Sequence, residues 1–161
     1  MRRLGTTDFP KNGEWEPIEV YLNGGKENFS GTEEDRVVAL GTRLWKQEED
    51  PEVAGYLRKE VGFLKKLREI AATDGWYAPV VRFSNITPDD IFDSLRQGGE
   101  ALSAEGTLAF ERGDFDPFFQ DVQAEMRLAR KIARSPDLNQ TIKAWPMNMQ
   151  ADAALGAALG S

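Results

Sequence analysis

Apolar residues recur at helical spacing through the middle of the chain, and the clearest run lies in residues 50–75. Val53, Leu57, Val61, Leu64, Leu67 and Ile70 or Ala71 fall three or four positions apart, which makes one stripe on a helix. Arg58, Lys59, Lys65, Lys66, Arg68 and Glu69 fall mostly on the other side. Asp50 supplies an N-cap, Pro51 sits in the first turn where a missing N–H is harmless, and Gly75 can take the left-handed conformation that closes a helix. One long helix is expected here, with the other elements laid against it.

The flanking patterns predict three more helices. Thr32-Glu33-Glu34-Asp35 opens the first with a hydroxyl cap and first-turn acids, and Val37, Leu40, Leu44 and Trp45 share its apolar face. The short acidic link Glu48-Glu49-Asp50 predicts an antiparallel hairpin with the long helix. Thr87-Pro88-Asp89-Asp90 carries the same start signals, and Ile91, Phe92 and Leu95 form the face to be buried. Gly98-Gly99 either ends that helix or kinks it, and Ala101, Leu102, Leu108, Ala109 and Phe110 continue the spacing to Gly113. Asp116-Pro117 starts the last helix, with Asp116 as cap and Phe118, Phe119, Val122, Met126, Ala129 and Ile132 or Ala133 as its stripe; Ser135-Pro136 stops it.

Two stretches have a different period. Ile18, Val20 and Leu22 alternate with Glu19 and Tyr21, a short strand followed by an Asn23-Gly24-Gly25 turn. Residues 76–83, rich in aromatic and β-branched side chains, either pair with that strand or lie extended over the helices; Pro17 and Pro79 confine any strand to an edge. The fold class expected is mainly α: a four-helix core with one or two short β-strands and extended N- and C-terminal arms. Residues 1–31 form the N-terminal arm with its strand, 32–136 the helical domain and 137–161 a C-terminal docking tail.

Composition narrows the chemistry more than the fold. The 161 residues suffice for one domain with a core. A net charge of −7 argues against nucleic acid or an anionic membrane as the main partner, because phosphate binding depends on Lys and Arg. No apolar run approaches the about 18 residues that span a bilayer, and Arg2-Arg3 is followed by no apolar signal segment. The expectation is a cytoplasmic or virion-borne protein with no membrane insertion. There is no Cys and no His, which removes disulfides, thiolate nucleophiles, iron–sulfur and zinc-thiolate sites, and every imidazole base or ligand. No catalytic residue, metal site or cofactor is expected.

Carboxylates are the acid–base and metal-binding groups that remain. Glu111, Asp114, Asp116, Asp121 and Glu125 could offer oxygen ligands to a divalent cation, but Phe118 stands where an EF-hand loop needs a ligand and no Gly follows it. The pairs Asp89 with Asp90 and Asp114 with Asp116 are explained as helix-start acids. Arg112-Gly113-Asp114 matches an adhesion tripeptide, and its Gly equally marks a helix end. Arg127, Arg130, Lys131 and Arg134 complement the dipole of the last helix and could also meet an acidic partner surface.

The tail carries the strongest functional hint. Ile142, Trp145, Met147, Met149, Leu155 and Leu159 are more large apolar residues than a solvated segment holds, and Trp145 is read as an anchor for a partner's pocket in preference to a fold-back contact. The expected function is a non-catalytic structural or assembly subunit, docking through its arms into a larger complex such as a virus or phage particle. Its partner-binding residues are Trp145, Met147, Met149, Leu155 and Leu159, with Arg127, Arg130 and Arg134. Its partners are other protein subunits, copies of itself among them. The alternative is an accessory or scaffold subunit of a multi-subunit enzyme whose catalytic chain carries the cofactors; a carboxylate- or metal-dependent hydrolase comes third.

Overall fold

The computed structural model describes residues 31–73, 88–134 and 138–161, and the regular structure among them is entirely helical. Six helices follow in order: α1 (Gly31–Gly41), α2 (Pro51–Lys59), α3 (Val61–Ala72), α4 (Pro88–Glu111), α5 (Phe115–Ala133) and α6 (Leu138–Leu159). The protein is mainly α. The strands expected in residues 18–22 and 76–83, and the N-terminal arm, lie outside the described residues.

Helix α4 is the wall that α1, α3, α5 and α6 share. Residues 98–104 are buried without interruption, so these nearly two turns meet protein all the way round. Gly98 and Gly99 neither end the helix nor interrupt it, contrary to their reading as an end or kink. They sit where neighbours come closest: a β-carbon at Gly98 would fall 2.2 Å from Leu67 Cδ1, and one at Gly99 would fall 2.4 Å from Met147 Cε. The absence of a side chain lets α3 and α6 approach the α4 backbone.

Helices α4 and α5 form an antiparallel pair, with Gly106 of α4 lying against Phe118 and Asp121 of α5. The corner between them is set by Gly113 at φ +85°, the left-handed conformation that glycine adopts without penalty. Gly113 N–H donates to Phe110 O (2.9 Å) and Asp114 N–H to Ala109 O (2.9 Å), which closes α4 with both bonds of a Schellman motif. The Arg112-Gly113-Asp114 tripeptide is thus a helix end. Helix α5 then begins two residues earlier than expected: Asp114 holds the cap position, and Asp116 is an acid of the first turn.

Three further expectations are corrected. The long helix of residues 50–75 is two helices that meet at Glu60, where ψ is 7°. Backbone bonds still cross the junction, Glu60 N–H to Tyr56 O and Leu64 N–H to Glu60 O, so the change is a local rotation. Its consequence is that Leu57 and Leu64 are both buried while Val61, placed on the stripe by spacing, is 55% exposed. A β-branched Val61 followed by Gly62 makes this the weakest helical point of the run. Second, α1 stops at Gly41, and Trp45 lies in the loop, fully buried, with Nε1–H donating to Ala104 O at 3.0 Å. The first helix therefore packs along α4 rather than along α2, to which the Arg36 guanidinium connects it through Asp50 and Glu52. Third, the C-terminal segment is no extended arm. It is the 22-residue α6, whose Ala144, Met147, Ala151 and Ala154 are buried in the bundle, with Pro146 inside the helix on the exposed side.

Identical glycine replacements should act with opposite signs. Among the described residues Gly62 has nothing within 4 Å of its missing β-carbon, so Gly62→Ala should stabilise the fold by about 0.5–1 kcal/mol through helix propensity. Gly98→Ala drives a methyl into buried Leu67 and should destabilise by about 1–3 kcal/mol. Denaturant midpoints of the two variants check both signs.

Candidate functional site

Two features depart from what an ordinary helical bundle requires: a set of acids inside it and an apolar face outside it. The acids come from the stripe of α5. Asp121 and Glu125 stand one turn apart among Phe118, Val122, Ala129 and Ile132, and all six are buried. Arg68 on α3 reaches across to the first of them, its Nε donating to Asp121 Oδ1 and its Nη2 to Glu105 Oε2 on α4, each at 2.5 Å. Ser103 Oγ donates to Glu125 Oε2, and Arg96 pairs with Glu100 at 2.6 Å.

This network is incomplete at two atoms, Asp121 Oδ2 and Glu125 Oε1, which are buried with no hydrogen-bond partner among the described residues. Burial raises the Asp121 carboxyl to about 7, because loss of water outweighs the attraction of Arg68. Burial likewise lifts Glu125 well above its ordinary value, Ser103 offsetting only part of it, and the charges of Glu100 and Asp121 add to the rise. Neither carboxyl reaches solvent, so neither can meet a substrate. Among the described residues no group of three or more Asp and Glu side chains could hold a metal ion. Glu111, Asp114 and Asp116, the rest of the acidic set, are exposed at the far end of α4 and at the start of α5. The groove beside Arg68, lined also by Gln120, Gln123 and Arg127, holds about 180 Å³, below the roughly 300 Å³ at which small-molecule pockets begin.

The outer face of α6 is different in kind. Ile142, Trp145, Met149 and Leu159 are 58%, 67%, 56% and 87% exposed, and with Asp152 and Gly156 they recur at alternating spacings of three and four along one edge. Of the tail residues singled out by sequence, Trp145, Met149 and Leu159 lie on this edge. Leu155 is half-buried against the cluster of Phe118 and Val122. Met147 is corrected: it is fully buried, packed on Gly99, and cannot meet a partner without leaving the core. Ile142 belongs to the exposed edge, and its spacing to Trp145 and Met149 is the signal that shows it. Arg127 and Arg130 are exposed on α5 and Arg134 at its C-cap, while Lys131 donates to Thr73 O at the end of α3. Among the described residues no helix is long and apolar enough to cross a membrane.

The buried acids make stability depend on pH. Between about pH 4 and 7 the folded chain keeps a proton on Asp121 that the unfolded chain has released, so stability should fall as pH rises through this window, by on the order of 4 kcal/mol, and Glu125 acts in the same direction. Asp50 acts in the opposite sense at lower pH: burial would raise it, yet Arg36 and the Val53 N–H hold it below its ordinary value, so its contribution is lost on acidification below about pH 4. Denaturant titrations from pH 4 to 8 should show the decline. Asp121→Asn with Glu125→Gln should flatten it.

No protein-family model, no curated protein and no solved structure matches the chain. The functional reading therefore stands on the residues and their placement.

Proposed function

We propose that this chain is a non-catalytic structural subunit that docks through the outer face of α6 onto other protein subunits of a larger assembly, of the kind found in virus and phage particles. The observation that carries this reading is the edge formed by Ile142, Trp145, Met149 and Leu159, each more than half exposed on a helix whose opposite edge is buried in the bundle. An exposed apolar patch of this order on a helix face is often functional, and Trp is among the residues most enriched at interface anchors. The rest of the molecule supports a building-block role. Its perturbed acids are sealed inside the bundle, and there is no His or Cys to take up acid–base or nucleophilic work. Arg127, Arg130 and Arg134 form a separate exposed basic row that can steer an acidic neighbour into place.

The test is the native mass of the chain in its source material. The wild-type chain should run in a large assembly holding many identical copies, and Trp145→Glu should release it at 18.0 kDa with its helical circular dichroism unchanged. A fixed ratio with one larger protein would instead indicate an accessory subunit of an enzyme. Normal assembly by the Trp145→Glu variant would overturn the docking face itself.

A further inference from the structure

The outer edge of α6 has an internal order that goes beyond its greasiness. Its six positions are Ile142, Trp145, Met149, Asp152, Gly156 and Leu159, the three-then-four spacing of a coiled-coil seam. The order is complementary to its own reverse. Laid antiparallel on a second copy, Ile142 meets Leu159, Trp145 meets Gly156, and Met149 meets Asp152, so every position is paired and the largest side chain falls on the one with no side chain at all. We propose that the occupant of this face is a second copy of the same chain, in a two-fold antiparallel pairing of α6 with α6. This rests on the reading of α6 as the docking face and names its partner.

Three observations favour the second copy over an unrelated protein. The first is space: among the described residues nothing lies within 4 Å of where a β-carbon at Gly156 would be, so that position is open to receive the indole of Trp145 from another molecule. The second is charge. The chain carries 27 acidic and 20 basic residues, so two copies repel unless they meet on a neutral strip. The seam and the positions flanking it (Thr141, Pro146, Asn148, Ala153, Leu155 and Gly160) hold a single charge, Asp152. The third is area. At roughly 200 Å² per large side chain, the exposed fractions of Ile142, Trp145, Met149 and Leu159 amount to about 500 Å² per copy, so a symmetric pair covers about 1,000 Å², the size at which a specific interface begins. Because both copies offer the same strip, the contact is isologous and closes on itself.

Asp152 limits the affinity. The two copies of Asp152 flank the symmetry axis, each beside Met149 of the other copy, so like charges face each other in the middle of an apolar seam. The resulting pair is reversible and concentration-dependent.

Sedimentation of the purified full-length chain should show a monomer–dimer equilibrium approaching twice 18.0 kDa. Gly156→Glu, whose β-carbon meets nothing among the described residues, should leave the helical signal intact and weaken the dimer by about tenfold or more, while Asp152→Asn should tighten it by about tenfold. The direction of pairing is read by cysteine cross-linking, which the Cys-free chain allows without background. Ile142→Cys and Leu159→Cys should each fail to cross-link alone, since like positions lie on the order of 25 Å apart in an antiparallel pair, and should cross-link when mixed. A monomer at every concentration, a dimer indifferent to Gly156→Glu, weakening by Asp152→Asn, or cross-linking of either cysteine variant with itself would each overturn the inference. If the pure chain stays monomeric while Trp145→Glu still prevents assembly, the docking face stands and its occupant is a different protein. If the dimer forms as described but Trp145→Glu assembles normally, the pairing stands and the assembly role of the face is lost.

Discussion

Helix α4 can touch four other helices because the positions that face them carry so little side chain. Gly98, Gly99, Ala101, Ser103, Ala104, Gly106 and Thr107 offer a nearly bare backbone between α4's own Leu95, Leu102 and Leu108, so large side chains of the neighbours can press on it: Leu67 from α3, Phe118 from α5, Met147 from α6 and Trp45 from the loop after α1. Close approach also brings polar groups within reach of the α4 backbone. Trp45 Nε1–H donates to Ala104 O, Thr107 Oγ1 lies 3.0 Å from Leu40 O at the end of α1, and the Gln150 side-chain amide of α6 reaches both Glu100 O and Val38 O. The bonds to Ala104 O and Glu100 O end on the α4 backbone itself, while the Thr107 contact ties α4 to α1 and the Gln150–Val38 contact ties α6 to α1.

The same geometry explains how acids come to be inside. Helix α5 lies against the thin side of α4, so the turn carrying Asp121 and Glu125 is held where no water reaches, and the compensating groups must arrive laterally, as Arg68 does from α3 and Ser103 from α4. Arg68 spans three helices by binding Asp121 and Glu105 at once, and removing it would leave Asp121 buried without a counter-charge, a far larger loss than the pair's net contribution. The two unsatisfied oxygens mark where that compensation stops. Such a network orders α3, α4 and α5 relative to one another more than it strengthens them.

Much of the helical pattern was legible in the chain because caps and stripes are local. Asp50 accepts from the Val53 N–H as a cap should, and Val53, Leu57, Leu64, Leu67 and Ala71 are all buried as their spacing requires. What was not legible depends on neighbours distant in sequence. Gly98 and Gly99 look like a helix breaker until Leu67 and Met147 are seen pressed on them. Trp45 fits the face of α1 by spacing, yet its indole N–H finds its acceptor 59 residues away on α4. Asp121 and Glu125 lie on the buried stripe of α5 by simple counting, but their polarity argued for solvent, and only the position of Arg68 shows why burial is tolerated.

Helix α6 was the hardest to read, for a reason that bears on its role. A helix packed on one side announces itself by contrast between an apolar and a polar face, and α6 has little contrast to offer: Ala144, Met147, Ala151 and Ala154 line one edge, and Ile142, Trp145, Met149 and Leu159 line the other. Pro146 adds a local signal against helix, since it has no N–H to give the Ile142 carbonyl. A helix that is apolar on both edges behaves as an interior helix, one that needs protein on two sides. The bundle supplies the first side through α4 and α5.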